Sequence, residues 1–539
     1  MLPQTALSGT NTPFPIEIRR LPWIKPLAVD YAFEYARLAD FFAGNPADSS
    51  AWRDAIARTQ HHQRKRDAIA DIVSAQQRKR SAPPEALSAS ASLRDPGTVA
   101  IVTGQQAGLF GGPLFTLLKA LTALRLAARV TAEHHVPTVA VFWIDAEDHD
   151  WEEVRGCGVL DAALNLIEIA LGNPPGAGEQ PVARVRLDES VARALATLSE
   201  TLQPTEFTPP LLDSLHRTYR VGGGMADAFG SWLESVLGPR GLVVFDASDA
   251  AAKPLASHIF VRELDHGDDT SRLAAAAGAK LVARGYHAQV APQEGHAALF
   301  QLDEMRSSIR AQDSRSIVER ARTNPAEFSP NVLLRPIVQD TLFPTVCYVA
   351  GPNELAYLAQ LRGVYAAFGV PMPLIQQRAT ATIVDASAMR FLARYEVPLE
   401  SLRAQDERAL NQLLQAQIPQ SVDDSLAEGA RAIAERMEKL ATAITDVDPT
   451  LQGAVRSTAG RMQDDVRKLH DKIVQAIKRK DETLRRQYTH LQAQAFPGGQ
   501  PQERAIGFVY FLNKYGPALI DRLSDNLQLD PGHHWVITI

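Results

Sequence analysis

One stretch constrains the chain more than any other. Residues 99–153 read VAIVTGQQAGLFGGPLFTLLKALTALRLAARVTAEHHVPTVAVFWIDAEDHDWEE. An apolar run at 99–102 ends in Thr103-Gly104, and the loop after it carries Gly104, Gly108, Gly111 and Gly112. Pro113 stands where a helix should begin, and at a first helical position the missing amide donor costs nothing. Leu114, Leu117, Leu118, Leu121, Leu124 and Leu126 then form a stripe at helical spacing. A second apolar run, 138–144, leads into a cluster at Asp145, Glu147, Asp148, His149 and Asp150. Strand, glycine loop, helix and strand make a βαβ unit with an expected right-handed crossover. Ligands of open parallel sheets sit beyond the carboxyl ends of the strands, so glycine loop and acidic cluster are expected to share one crevice.

Size and charge narrow the class. A chain of 539 residues exceeds one hydrophobic core, so several domains are expected. Its hydrophobic content of 45% and charged content of 22% are ordinary for a globular protein. A net charge of −6 argues against a large nucleic-acid footprint. Two cysteines, Cys157 and Cys347, offer neither a disulfide framework nor a thiol zinc site, which fits a reducing cytoplasm. No secretory signal is read at the N-terminus, and no run approaches the roughly 20 apolar residues that span a bilayer, so no membrane partner is expected.

Taken in order, residues 1–97 read as a helical segment packing on the core. Helices are predicted at 31–42 and 52–73, the second with HHQRKR at its middle as a solvated face or, less often, a phosphate patch. Residues 81–96 read as a linker. Residues 98–155 form the first part of the core and 156–240 an inserted segment of two weak strands followed by helices at 188–201 and 225–237. A second part of the core, 241–380, includes a smaller insertion. Its predicted strands are 242–245, 288–291, 299–302, 332–334, 344–350 and 373–376, with helices at 273–284 and 351–368. The repeated order of strand, turn and helix makes a doubly wound α/β core.

Residues 381–500 change character. Leu426, Ile433, Met437, Leu440, Ile444 and Val447 follow coiled-coil spacing, interrupted by Asp448-Pro449. Leu451, Val455, Met462, Val466, Leu469, Ile473, Ile477, Leu484, Tyr488 and Leu491 resume it. A second helix of roughly 45 residues would be about 67 Å long. The first helix covers only part of that seam, which leaves apolar surface for a second subunit. Residues 501–539 form a C-terminal segment.

The chemistry centres on the strand ends. TGQQAGLFGG satisfies neither the dinucleotide nor the P-loop pattern. What remains is a glycine turn before a helix N-terminus, suited to an anion or simply to a tight turn. Thr103, Gly104, Gln105, Gln106 and Gly108 are its binding candidates. In DAEDHD, metal ligation, acid–base work and hydrogen bonding to amines or hydroxyls compete. Asp148 and His149 come first as catalytic candidates, then Glu147, with Asp150 as a binding residue. Arg335, whose planar fork matches carboxylate or phosphate, stands with Gln339 and Asp340 after one strand. It is an anion site or one half of a buried ion pair with an acid such as Asp340. Tyr348, Gly351 and Glu354 end another strand, and Glu354 could favour a helix dipole or bind an amine. The pairs His61-His62, His134-His135 and His533-His534 read as surface residues.

TGQQAGLFGGPLFTLLKAL with VFWIDAEDHDWEEV, NVLLRPIVQDTLFPTVCYVAGPNELAYLAQL and FLNKYGPALI resemble the BshC family, the cysteine ligases of bacillithiol synthesis. The resemblance spreads over most of the chain. It implies a nucleotidyltransferase-like Rossmann core with inserted connective segments and an antiparallel coiled-coil domain that dimerises. It also implies a reaction joining the carboxyl of cysteine to the amine of glucosaminyl-malate. Amide formation in water needs an activated carboxyl, so ATP is the expected co-substrate, with Mg as the only metal implied. Class I aminoacyl-tRNA synthetases share that architecture, yet HIGH and KMSKS are missing. The rival readings are a metal-dependent hydrolase or deacetylase of an amino-sugar conjugate, from the acidic cluster, and a non-catalytic dimeric scaffold, from the coiled coil.

Overall fold

The computed structural model describes residues 13–302, 306–416, 419–480 and 482–539, with 477–480 as backbone alone. Two units divide the described chain: one holds 384–499, the other 13–383 together with 500–539.

The α/β unit is built on strands numbered here in chain order. β1 is Phe14–Glu17, β2 Val99–Gln106, β3 Thr138–Asp145, β4 Gly156–Leu160, β5 Leu166–Ala170 and β6 Val243–Asp246. β7 is His296–Leu302, β8 Arg306–Arg310, β9 Phe328–Pro330, β10 Thr345–Ala350, β11 Leu374–Gln377, β12 Thr380–Val384 and β13 His533–Thr538. Five of them form a parallel sheet in the order β11-β10-β2-β3-β6. From β2 the chain moves one way to β3 and β6, then returns on the other side as β10 and β11. The direction reverses between β2 and β10, the place where open α/β sheets bind ligands.

The strands carry continuous apolar runs because both faces are covered. Ile101, Phe142 and Ile144 join a core beneath the helices Leu114–His134 and Met225–Leu237; Val102, Val141, Trp143 and Phe245 join the opposite core with Phe260, Ile337 and Phe343. The inserted segment begins with the antiparallel hairpin β4–β5, and the smaller insertion is a three-stranded antiparallel sheet, β8-β7-β9. Residues 500–539 return to this unit: β13 pairs with β1 and lies beside β12, and Leu114 N donates to Ile506 O at 2.8 Å.

Several local expectations are corrected. Residues 31–42 give only the end of helix Pro26–Phe33 and single turns of 3₁₀ helix. The helix expected over 52–73 is two, Ser49–His61 and Arg66–Arg80. HHQRKR spans the break, where Arg64 donates to Thr59 O (2.8 Å), His62 O (3.2 Å) and Asp340 O (3.1 Å). Its guanidinium ties the turn down instead of facing solvent. The supposed linker folds as helix Pro84–Ala91, started by a proline in its first turn and buried through Ala86 and Ser90. Pro113 is the N-cap of its helix, one place earlier than expected. Residues 288–291 form no strand, and 332–334 are a turn in which Asn331 Oδ1 accepts from Leu333 N (2.9 Å) and Leu334 N (3.1 Å). The helix expected over 351–368 is broken into Leu355–Leu358 and Arg362–Phe368. His534 is buried, its ring between the Thr380 and Thr382 hydroxyls at 3.0 and 2.9 Å, while its neighbour His533 faces outward, as strand alternation requires.

In the helical unit, Gln420–Ala443 and Gln452–Lys480 pack as an antiparallel hairpin. Gln463 Nε2 donates to Ala430 O at 2.8 Å, and Gln452 Nε2 to Thr445 Oγ1 at 2.7 Å. Leu484, Tyr488 and Leu491, on helix Glu482–Ala495, are buried, with Tyr488 against Phe391 of helix Ala386–Tyr395. Further out, Leu440, Val447, Leu451, Met462 and Leu469 are exposed. The Ile477 side chain lies outside the described residues.

Candidate active site

A cavity of about 240 Å³ opens at the carboxyl ends of β2, β3 and β10, beside the point where strand order reverses. Register sets its floor: Gly104 lies opposite Trp143 and Gln106 opposite Asp145. Tyr348 and Glu354 come from β10 and the turn after it, Arg335 and Gln339 from helix Arg335–Leu342. Asn331 follows β9, and Arg306 reaches in from β8. Asp148 belongs to the loop after β3, and Glu153 to the single helical turn Trp151–Val154, whose N-cap Asp150 accepts from Glu153 N at 3.1 Å.

Charges in this wall are largely paired. Arg335 binds Asp145 and donates to the Tyr357 hydroxyl at 3.3 Å. Arg306 reaches Asp148 Oδ1 (3.2 Å), His149 Nδ1 (3.3 Å), Ser329 Oγ and Pro330 O (both 3.3 Å), with its guanidinium 3.9 Å from the Phe300 ring centroid. Lys119, buried beneath, donates to Gly104 O (2.8 Å) and Gln105 Oε1 (3.1 Å) and pairs with Glu354 Oε2 (2.8 Å). Burial pulls the Lys119 ammonium below its usual range, opposed by Glu354. Gln106 Nε2 donates to Asp148 Oδ2 at 3.0 Å. The remaining carboxylate, Glu153, has no cation within ion-pair distance among the described residues and meets only Gln105 Nε2 at 3.5 Å. Loss of surrounding water, then Asp150 and Asp148, raise its carboxyl above the ordinary range.

Of the residues singled out by sequence, Gly104, Gln105, Gln106, Asp148, Arg335, Gln339, Tyr348 and Glu354 line this cavity. His149 and Asp150 line an open neighbouring cleft of about 400 Å³ with Trp151, Glu152 and Asn173, although His149 still meets Arg306. Glu147 is directed away, into a buried ion pair with Lys253. Thr103 donates to Val349 O at 2.9 Å inside the sheet. Asp340 is enclosed behind the wall, accepting from Tyr365 Oη (2.5 Å) and Gln339 Nε2 (3.0 Å), and burial pushes its carboxyl up to about 6. Arg335 is therefore paired with Asp145, not Asp340. Gly351 N donates to Glu354 Oε2 at 2.5 Å.

The glycine loop is not arranged as an anion cradle. Gly108 N donates to Gln106 O, Gly111 N to Gly108 O and Gly112 N to Leu109 O, so these amides are already bonded. The glycines serve close packing: a Cβ on Gly111, at φ +93°, would stand 2.3 Å from Trp232 and 2.5 Å from Phe508.

Sequence reasoning did not pick out Arg306, Lys119, Trp143, Asn331 or Glu153. Lys119 had a signal, a lone cation inside an apolar helical stripe. Arg306 had none, because it enters from an inserted sheet 158 residues away from Asp148. Among the described residues no three His, Cys, Asp or Glu side chains gather as a metal-ligand set. No helix described is long and apolar enough to cross a membrane.

A doubly wound parallel sheet with a charged cavity at its switch point defines a Rossmann-like ligand-binding protein. The family model "Bacillithiol biosynthesis BshC, N-terminal Rossmann-like domain" matches residues 15–379, and "Bacillithiol biosynthesis BshC, C-terminal coiled-coil domain" matches 381–539. Relatives named "Putative cysteine ligase BshC" include one from Salinibacter ruber, 33% identical over 95% of this chain and 96% of its own. Others come from Koribacter versatilis, 30% identical over 96% and 98%, and Geobacillus thermodenitrificans, 30% identical over 97% and 100%. The chain belongs to the BshC family of bacillithiol biosynthesis.

Proposed function

We propose that this chain is a cysteine ligase: it joins the carboxyl of cysteine to the amine of glucosaminyl-malate, with ATP as the activating co-substrate, in the cytoplasm. The observation that carries the reading is the full-length kinship with relatives named as cysteine ligases, joined to a switch-point cavity lined by both guanidinium and carboxylate groups. One substrate is a zwitterionic amino acid and the other carries the two carboxylates of malate, so both cationic and anionic partners are required. Arg306 and Arg335 are the groups suited to substrate carboxylates, since each presents a planar fork of donors. Asp148 orients Arg306 and Gln106; Lys119 fixes Glu354 and the Gln105 side chain below the floor. ATP supplies the chemistry of converting the cysteine carboxyl into a mixed anhydride. The bonded amides of the glycine loop leave Arg306 and Arg335 as the cavity's candidates for its phosphates.

The hydrolase reading is less favoured by the geometry. Asp145, Asp148, Glu147 and Glu354 are each tied to a different cation, whereas a catalytic metal needs several of them turned towards one point. The scaffold reading draws on the helical hairpin alone, and we assign that hairpin to a homodimer of the ligase.

The test is direct. Full-length protein given cysteine, glucosaminyl-malate and ATP is expected to form the cysteinyl amide, detected by mass, with stoichiometric loss of ATP. Cleavage of an amino-sugar amide without ATP, by protein carrying stoichiometric zinc or iron, would establish the hydrolase instead.

A further inference from the structure

Among the described residues, two acceptors of the cavity stand out as unspent, beside the buried and unpartnered Trp143 Nε1. Asp145, Asp148 and Glu354 are each paired with a cation; Glu153 is not. The second is Gln106 Oε1, buried and without a hydrogen-bond partner. Its orientation is fixed, because the Asp148 carboxylate only accepts and so holds the amide nitrogen on its own side. A buried acceptor left unpaired is costly, so this oxygen calls for a donor from a ligand. A free carboxylate and an unused acceptor in one cavity wall suit a group that brings N–H bonds and must lose a proton.

Resting on the ligase reading above, we propose that Glu153 is the general base of amide formation, with Gln106 Oε1 holding a second N–H of the attacking amine. The incoming nucleophile is an ammonium group. Glu153 takes one proton, freeing the nitrogen lone pair. That pair forms the C–N bond to the acyl carbon of a phosphate mixed anhydride of cysteine. The C–O bond to phosphate breaks, its electrons leave with the phosphate group, and the nitrogen sheds its second proton to solvent. Glu153 is exposed, so the proton it takes can pass to bulk water.

The groups facing Glu153 set its titration. Asp150 and Asp148 raise its carboxyl; Lys119, from below, and Arg504, on the short helix Gln502–Ala505, draw it back down. The net direction is up, so the base works in its ionised form above a pKa higher than that of an ordinary glutamate and is lost as pH falls through it.

The experiment measures kcat, KM for the amine and the pH profile of wild type, Glu153→Gln and Glu153→Asp, with thermal melting as the control for folding. The expected result is a kcat lowered by about 100- to 10,000-fold in Glu153→Gln, with KM and melting little changed. The acidic limb of the wild-type kcat profile should vanish in that variant, and Glu153→Asp should recover part of the rate. A kcat within threefold of wild type, an acidic limb that persists in Glu153→Gln, or a loss confined to KM would overturn the assignment while the ligase reading stands. If wild type itself forms no amide, both fall together.

Discussion

Glu147 sits in the middle of DAEDHD, yet the structure gives it a load to carry under the site. Its carboxylate is paired with Lys253, the two side chains being 8% and 5% exposed. Burial, partly offset by Lys253 and Arg306, holds the Glu147 carboxyl above the usual range. Replacing Lys253 with Met removes the ammonium and strands the carboxylate, a change that typically costs about 3–5 kcal/mol. Adding Glu147→Gln removes the stranded charge and should return most of that loss, since a buried pair exchanged for uncharged groups of similar size is often close to neutral. All six tryptophans (23, 52, 143, 151, 232 and 535) lie in the α/β unit, so urea unfolding followed by their fluorescence reads that unit alone. The expected order of midpoints is wild type, then the double variant, with Lys253→Met lowest. The sign with pH follows from linkage: without the ammonium the Glu147 pKa rises further, so the deficit of Lys253→Met shrinks as pH falls and Glu147 takes up a proton. A single variant as stable as wild type, or a double variant no better than the single, would refute a structural ion pair.

Other outcomes follow from single contacts. Burial pushes the His534 ring down to about 4 from 6.5, so its share of stability, about 3 kcal/mol, is present above pH 6.5 and lost as pH falls towards 4; His534→Gln should flatten that part of the urea-midpoint profile. Gly158→Ala would set a Cβ 2.1 Å from the Ala505 carbonyl oxygen, where Gly507 N also donates to Gly158 O, and should lower stability by at least about 1–3 kcal/mol. Met462→Gln with Leu469→Gln, at exposed seam positions, should shift the particle towards half its mass in light scattering, because each large apolar group covered by a partner contributes about 1.5–3 kcal/mol; a wild type monomeric at micromolar concentration would contradict the dimer.

How much of this was legible depended on how local the cause was. Strands 99–102, 138–144 and 344–350 were readable because a parallel sheet covered on both faces demands continuous apolar runs. The run at 332–334 looked the same, yet Leu333 and Leu334 are buried by a turn that Asn331 caps, and periodicity over three residues cannot distinguish the two. Residues 81–96 were misread because Ala and Ser suit linkers and helices alike, and the deciding burial of Ala86 and Ser90 is tertiary. His534 was misjudged for the same reason: its partners Thr380 and Thr382 lie on a different strand. At the site, the groups at the ends of β2, β3 and β10 were visible from fold logic. Which carboxylates were already spent on cations was not, since Arg306 and Lys253 arrive from distant segments.

The central claim is that this chain joins a cysteine carboxyl to an amine at the expense of ATP, and oxygen transfer tests it most directly. Cysteine labelled with ¹⁸O in both carboxyl oxygens keeps one in the amide, and the activated intermediate hands the other to the phosphorus it was bonded to. The account predicts an amide with one ¹⁸O, and the second ¹⁸O in the released phosphate or AMP. Amide formed with no label in either phosphorus product, or no amide with all three substrates present, would contradict it.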